Sequence, residues 1–138
     1  MKLDIACGRN NKQGFVGLDI SRDSSADIIA TALKLPIKDE GVSEINCSHL
    51  VEHLYPEEAQ QLVNEIFRVL ERGGKAAIKI DRDWSKNRLL KKDPEHKYRY
   101  SENEIESMVQ KFSLKKVKQR IYLFDYRLRT KIFVELVK

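Results

Sequence analysis

The chain has few residues that break regular structure and no long apolar run. Among its 138 residues there are only six glycines and three prolines, and no segment is of low complexity, which excludes a largely disordered protein. No apolar run approaches the ~18 residues that a membrane span requires. The first residues, Met1 to Asp4, lack the apolar core of a signal peptide. We therefore expect a soluble, cytoplasmic protein without a membrane partner.

Cysteine is also scarce. The two cysteines, Cys7 and Cys47, form no CxxC pair, and two such thiols favour a reducing compartment over a disulfide framework. Together with His49 and His53 they offer no close ligand pair with the spacing of a zinc knuckle. The sequence therefore predicts no metal site.

The length fits one domain, residues 1–138, because domains usually contain ~100 to 200 residues. A domain of this size buries little core by itself. Self-association into a homodimer is therefore one expectation, and a monomer with a hydrated polar surface is the alternative.

Charge is unevenly distributed along the chain. Residues 1–81 carry 10 basic and 13 acidic side chains, whereas residues 82–138 carry 16 and 8. Such a basic excess can attract phosphate or carboxylate groups of a partner. It is also what a simple lysine-rich, solvated surface shows. Both interpretations stay open at this point.

Apolar periodicity predicts the secondary structure. Short apolar segments at residues 3–6, 15–20, 26–30, 42–47 and 76–80 are typical of strands. Residues 56–72 show helical spacing, begin with Pro56 and are followed by two glycines. A second helix is predicted to begin at Ser101, which forms a capping box with Glu104. Two extended segments, 114–124 and 130–137, then predict an antiparallel hairpin.

The predicted connections between the early strands are short. Residues 7–14 and 21–25 leave no room for a helix, since a helical crossover takes at least ~10 to 12 residues. Polar side chains also recur at every second position, as in Lys116, Lys118 and Arg120, which indicates a wet sheet face. The predicted fold is α/β, a Rossmann-like, mostly parallel sheet that ends in an antiparallel hairpin, with helices missing or minimal on one face.

Two strand ends carry residues suited to a nucleotide-like ligand. The first strand runs into the small turn Ala6-Cys7-Gly8, and the second ends at Asp19. A small turn lets a ligand approach the backbone, and an acidic side chain on the neighbouring strand can accept hydrogen bonds from both ribose hydroxyls. Alone, Gly8 is more often just a turn glycine.

Two further segments make the pattern specific. The third segment, residues 35–54, contains Leu35-Pro36-Ile37 and Val51-Glu52-His53-Leu54, and the fourth, residues 65–74, closes the helix on Arg68-Val69-Leu70 before Gly73-Gly74. In this order, the four segments resemble the class I S-adenosylmethionine-dependent methyltransferases, in particular the type 11-like branch, in a shortened form. The resemblance covers residues 2 to 80 and continues more loosely to residue 112.

The resemblance implies S-adenosyl-L-methionine as cofactor. In it, Asp19 binds the ribose, Ile20 packs on the adenine, and the strand end at 47–49 passes beneath the sulfonium. The implied cofactor-binding residues are Asp4, Ala6, Cys7, Gly8, Asp19, Ile20, Thr31, Ala32, Leu33, Cys47, Ser48 and His49. The chain departs from the family pattern by keeping only the middle glycine of Gly-x-Gly-x-Gly and by having Thr31 where an acidic residue is usual.

A general base is optional for methyl transfer, because positioning alone can supply much of the rate. His49 is the candidate base, since imidazole titrates near neutrality and the residue lies at the strand end. The alternative is that His49 only forms hydrogen bonds with neighbouring backbone.

Substrate binding is expected in the basic stretch after the fifth strand and in the segment around residue 98. Aromatic rings there could stack on a base or a sugar, while cationic side chains meet phosphate. The alternative is a surface loop whose aromatic rings cap the core. The candidate residues are Trp84, Lys86, Arg88, Tyr98 and Tyr100.

The sequence thus predicts an enzyme, an S-adenosylmethionine-dependent methyltransferase with an unidentified, anionic acceptor. The alternative is a non-catalytic module with the same outline that binds RNA or an acidic protein. An NAD-dependent oxidoreductase is disfavoured, because no helix follows the first turn and two of the expected glycines are absent.

Overall fold

A seven-stranded sheet is the centre of the computed structural model, which describes residues 1–82, 95–124 and 127–138, with only the backbone at 123, 124, 127 and 128. The strands are β1 (Lys2–Ile5), β2 (Val16–Asp19), β3 (Ile28–Ile29), β4 (Val42–Ser48), β5 (Leu70–Arg82), β6 (Leu114–Phe124) and β7 (Arg127–Val137). Their order is β3-β2-β1-β4-β5-β7-β6. Among the described strands, β7 pairs antiparallel with both β5 and β6, and the other pairs are parallel. The predicted mixed sheet with a closing hairpin is confirmed.

The central strand of the parallel part is β1, which pairs with β2 on one side and β4 on the other. These strands run in the same direction, so they end at the same edge of the sheet. The ends are Ile5, Asp19 and Ser48, and the parallel β5 ends beside them at Arg82. We call this the carboxyl edge. In open α/β sheets ligands bind at such an edge.

The long helix α1 (Pro56–Val69) has a well-defined start. Pro56 occupies the first turn, and Glu58 Oε2 accepts a hydrogen bond from the Tyr55 amide at 2.9 Å. The predicted end at residue 72 is wrong, because Leu70 already has an extended backbone and pairs with Val42. Pairing with β4 therefore ends the helix before the two glycines do.

The second helix, α2 (Glu102–Met108), begins at the predicted capping box. Ser101 Oγ accepts from the Glu104 amide at 3.2 Å, and Glu104 Oε2 accepts from the Ser101 amide at 2.8 Å. After the helix, Phe112 packs edge-on against Phe67 of α1, with ring centroids 5.2 Å apart. Both helices therefore belong to one apolar core on a single face of the sheet.

The opposite face, which we call the open face, is polar. Along β7 the buried Ile132 and Val134 alternate with the half-exposed Lys131 and Phe133. The connections from β1 to β2 and from β2 to β3 contain turns and no helix. Over the described ranges, α1 and α2 thus cover only one face, as predicted. Within the same ranges no helix is long and apolar enough to span a membrane.

Candidate cofactor site at the carboxyl edge

The turn that follows β1 has an unusual backbone. Ala6 has φ 58° and Gly8 has φ 57°, so both lie in the left-handed region. Gly8 adopts this conformation freely, whereas an alanine there costs ~1 to 2 kcal/mol. The Cys7 amide between them donates to the Leu18 carbonyl at 3.2 Å, which fastens the turn to β2. The strained turn is therefore held in place by the sheet.

Asp19, at the end of β2, faces this turn. Its Oδ2 accepts a hydrogen bond from the Gly8 amide at 2.9 Å, and its Oδ1 accepts from the Ser21 amide at 2.8 Å. Each carboxylate oxygen keeps further acceptor capacity. The next residue, Ile20, is 73% exposed. The structure thus brings together the predicted turn, the predicted ribose acceptor and an apolar surface beside them.

Asp4 has a different position from the one expected of a ligand contact. It is only 4% exposed. Its Oδ2 accepts from the Lys12 amide at 2.9 Å, and its Oδ1 accepts from Asn46 Nδ2 at 2.6 Å. Asp4 therefore anchors the loop between β1 and β2, and its part in cofactor binding stays a prediction.

Gly17 lets the same loop lie close against β2. A Cβ atom at this position would come within 2.8 Å of Asn11 Cγ and 2.9 Å of Cys7 Sγ. Burial, followed by the charges of Asp19 and Asp4, raises the pKa of the Cys7 thiol. The thiol therefore stays neutral and fills the space beneath the turn.

The predicted adenine loop follows β3. Leu33 donates its amide to Thr31 Oγ1 at 3.2 Å, and its carbonyl accepts from Gln61 Nε2 of α1 at 2.9 Å. Ala32 and Leu33 are partly buried against the core, while Thr31 is exposed. The loop is thus fixed by α1 and borders the end of β2.

The three residues predicted at the end of β4 lie in different environments. Cys47 is completely buried on the helix side of the sheet, and burial raises the pKa of its thiol. Its side chain therefore belongs to the core, and any contact of Cys47 with a ligand at this strand end would come from its backbone. Ser48 is half-buried, and His49 has φ 60° with its amide donating to the Lys79 carbonyl at 2.8 Å. The left-handed backbone turns the chain at His49.

The His49 ring is paired with carboxylates. Its Nδ1 lies 3.0 Å from Asp81 Oδ2 and 3.5 Å from Glu52 Oε1. Lys131 Nζ lies 3.3 Å from the other oxygen of Asp81. The hydrogen bond to Asp81 and then that to Glu52 raise the pKa of His49 to about 9, against the opposing effect of burial. Burial raises the pKa of Asp81, but His49 and Lys131 outweigh it and lower that pKa to about 2.

These values make His49 an imidazolium at neutral pH. A protonated ring donates hydrogen bonds and attracts anions, but it cannot accept a proton. A base role for His49 requires the proton to leave the pair with Asp81. The alternative prediction, that His49 only forms hydrogen bonds with neighbouring backbone, also differs from the structure. The partners of its Nδ1 are side-chain carboxylates and not backbone groups.

The buried Glu52 helps to hold the His49–Asp81 pair in place. It is 1% exposed, its Oε1 accepts from the Asp81 amide at 3.3 Å, and its carbonyl accepts from the Lys97 amide at 2.9 Å. Nearby, His53 Nδ1 is 3.0 Å from the Glu95 carbonyl. Glu52 and His53 therefore tie the turn after β4 to the end of β5 and to the segment that begins at residue 95.

The sequence reasoning missed Asp81 and Lys131 as site residues. Asp81 ends the apolar pattern of β5 in the way that Asp19 ends that of β2, so the sequence pattern could have identified it. Lys131 offers no such signal, because its pairing with Asp81 depends on the register between β5 and β7.

The predicted substrate residues fall into two groups. Trp84, Lys86 and Arg88 lie outside the described residues. Tyr98 is half-buried and donates its hydroxyl to Glu104 Oε1 at 2.6 Å. Tyr100 is completely buried, with its hydroxyl donating to the Leu54 carbonyl at 2.6 Å. Tyr100 therefore belongs to the core and cannot stack on a substrate, which corrects that prediction.

Comparisons with known proteins find similar sequences and folds. A family profile described as "Methyltransferase domain" matches residues 3–78, more than half of the chain. The chain belongs to the S-adenosylmethionine-dependent methyltransferases. The matched region contains the cofactor turn, Asp19 and the end of β4. A search of curated proteins gives no match.

Solved methyltransferase structures share the fold of this methyltransferase. A SAM-dependent methyltransferase from Archaeoglobus fulgidus superimposes with a TM-score of 0.78 at 18% identity, covering 99% of this chain and 85% of that one. One from Thermotoga maritima gives 0.78 at 16% identity, with 99% and 81% covered. Phosphoethanolamine N-methyltransferase 2 from Haemonchus contortus, in complex with S-adenosyl-L-methionine, gives 0.75 at 13% identity, with 99% and 48% covered.

The residues at the carboxyl edge of this methyltransferase fit an adenosyl cofactor. Gly8 has open space beside it, because a Cβ atom added at this position would have no atom within 4 Å. Asp19 offers carboxylate oxygens next to that space, and the exposed Ile20 offers an apolar surface. These are the groups that a ribose and an adenine require.

Proposed function

We propose that this methyltransferase transfers the methyl group of S-adenosyl-L-methionine to an anionic acceptor at the carboxyl edge. The observation that carries the proposal is the hydrogen bond between the Gly8 amide and Asp19 Oδ2 at 2.9 Å. It joins the turn after β1 to the carboxylate at the end of β2, so the two halves of an adenosyl site form one unit.

The cofactor roles follow from positions along this edge. Asp19 accepts hydrogen bonds from the ribose hydroxyls, and Ile20 packs against the adenine together with the Thr31 to Leu33 loop. The turn of Ala6, Cys7 and Gly8 lies against the methionine portion. No helix follows this turn, so loop amides and Arg9 supply the positive groups for the cofactor carboxylate that a helix N-terminus supplies elsewhere.

The acceptor is held by the charged group beside the site. The bound cofactor supplies an activated methyl group, so the protein mainly has to position the acceptor atom at ~3 to 3.5 Å. His49, an imidazolium, and Lys131 both pair with Asp81, so at the edge they offer hydrogen-bond donors rather than an unbalanced positive charge. We infer that they orient an anionic acceptor, with His49 as a hydrogen-bond donor. The basic excess of residues 82–138 supports the same acceptor class.

Calorimetry tests the cofactor site. We expect the protein to bind S-adenosylmethionine and S-adenosylhomocysteine, and Asp19→Ala to weaken both at least about tenfold, because the acceptor for two ribose hydroxyls is removed. Asp23→Ala is the matched control, since Asp23 is exposed in the same loop and donates its backbone amide, not its side chain, to Ser21 Oγ. Asp19→Asn keeps an acceptor for the Gly8 amide, so the turn is retained. Weaker binding by this variant therefore reports loss of the cofactor contact and not loss of the turn.

The proposal fails if the folded wild-type protein gives no heat and no change in melting temperature with either compound. It also fails if Asp19→Ala and Asp23→Ala bind equally well. Circular dichroism of each variant shows whether the fold is retained.

A further inference from the structure

The open face carries a concentration of positive charge on β5, β6 and β7. Strand register sets which residues share this face: Lys79, Phe133 and Lys118 form one row, and Asp81, Lys131 and Arg120 form the next. Among the described residues of these strands, the face has seven basic side chains and two carboxylates. The basic residues are Lys75, Lys79, Lys116, Lys118, Arg120, Arg129 and Lys131, and the acidic ones are Asp81 and Glu135.

An aromatic residue lies in the middle of these charges. The Phe133 ring is half-buried, with Lys79 Nζ 5.6 Å and Arg120 Cζ 5.3 Å from its centroid. The ring of Tyr122, which is 38% exposed, is 6.3 Å away. Phe133 and Tyr122 therefore form an aromatic surface on which the side chains of Lys79 and Arg120 lie over the Phe133 ring, and neither ring is part of the proposed cofactor site.

This surface has the chemistry of a binding site for single-stranded nucleic acid. Unpaired bases stack on aromatic side chains of a sheet, while basic side chains follow the phosphates. A duplex cannot use the aromatic rings in this way, because its bases are already stacked. A second copy of the same face would bring its basic groups against these, and an acidic protein would leave the exposed rings without a function.

We propose that the open face of β5, β6 and β7 binds a single-stranded nucleic acid, with bases stacked on Phe133 and Tyr122. The row of Asp81, Lys131 and Arg120 leads to His49, so a bound strand runs toward the carboxyl edge. The binding is a property of the sheet face itself and does not depend on the proposed cofactor site.

Fluorescence anisotropy with a labelled oligouridine tests the proposal. We expect binding without any cofactor, and a fall in affinity as salt is raised. Phe133→Leu keeps an apolar, strand-compatible side chain but removes the stacking surface, and we expect about tenfold weaker binding. The double variant Lys116→Gln and Lys118→Gln removes two phosphate contacts, so the slope of log affinity against log salt falls by about 1.4.

A matched control removes the same charge from the opposite side of the sheet. Lys111 and Lys115 are exposed residues on the helix side, where Lys111 Nζ contacts Asn64 of α1 and Lys115 Nζ contacts the Phe112 carbonyl. We expect Lys111→Gln with Lys115→Gln to bind as wild type does. Equal losses in the two double variants would show nonspecific attraction and overturn the proposal.

Three other results would also contradict it. The proposal is wrong if no oligonucleotide binds at low salt, if an RNA duplex of the same length binds as tightly, or if polyglutamate competes as effectively as unlabelled oligouridine. The last result would show that the face binds polyanions without preference for a nucleic acid. Because the assay contains no cofactor, none of these outcomes is affected by failure of the methyl-transfer proposal.

Discussion

Two residues at the carboxyl edge, Ala6 and His49, have left-handed backbone although neither is glycine. Each directly follows a parallel strand, β1 and β4 respectively, where the chain must turn sharply. A side chain in this conformation is strained and is retained only where the surroundings hold it. Ala6 replaces the first glycine of the family pattern, so the turn keeps its shape at the cost of strain. At His49 the same backbone directs the imidazole to Asp81.

The His49 pair makes stability depend on pH. The raised pKa of about 9 means that the folded state binds a proton more tightly than the unfolded state, where imidazole titrates near 6.5. Its contribution is therefore fully present below pH ~6.5 and is lost as the pH rises through ~9. Since the His49 side chain is 40% exposed, we expect only about 1 kcal/mol from it after solvent screening.

Urea unfolding at several pH values measures this contribution. The wild-type free energy of unfolding should fall between pH ~6.5 and ~9 by more than that of His49→Gln. A titration of the His49 ring by nuclear magnetic resonance gives the pKa directly. A midpoint near 6.5, with parallel stability curves for the two proteins, would show that the pair with Asp81 does not form in solution.

At the scale of elements, a single arginine on α1 organises the connection from β3 to β4. Arg68 donates to the carbonyls of Leu35 and Ile37 at 3.0 and 2.8 Å, and its guanidinium also pairs with Asp39 and Glu65. The loop that carries the predicted leucine-proline motif contains no helix. The last turns of α1 hold it in place through these contacts of Arg68.

Arg68→Ala tests this role. Two backbone carbonyls lose their charged donor and Glu65 loses its partner, so we expect the free energy of unfolding to fall by about 2 kcal/mol in urea denaturation. Arg72→Ala is the control, because Arg72 is 92% exposed and lies 3.8 Å from Glu40. Its expected effect is within about 0.5 kcal/mol. Similar losses in both variants would mean that charge, and not the loop contacts, causes the effect.

At the scale of the whole molecule, the two described α-helices cover one face and leave the other to solvent or to a partner. The sequence left self-association open for this reason. The open face is charged and mostly basic on β5, β6 and β7, so a symmetric dimer through it would oppose like charges. We therefore expect this face not to be covered by a second copy of the chain.

Sedimentation velocity decides the oligomeric state. We expect a single species of 16.1 kDa at both low and high salt. A dimer that persists at high salt would indicate an apolar interface elsewhere. A dimer that forms only at high salt, where charges are screened, would indicate association through the open face.

Sequence alone determined the order of the elements, the short crossovers, the capping of α2 and the carboxylate at Asp19, because these depend on local pattern and neighbouring residues. The family motifs in residues 2 to 80 added the cofactor class. The tertiary structure decided the features that the sequence pattern does not contain. Pairing of β5 with β7 placed Lys131 beside Asp81, and packing of the segment before α2 buried Tyr100. Contacts of this kind join residues far apart in the chain, so each side chain's charge state and exposure depend on strand register and packing.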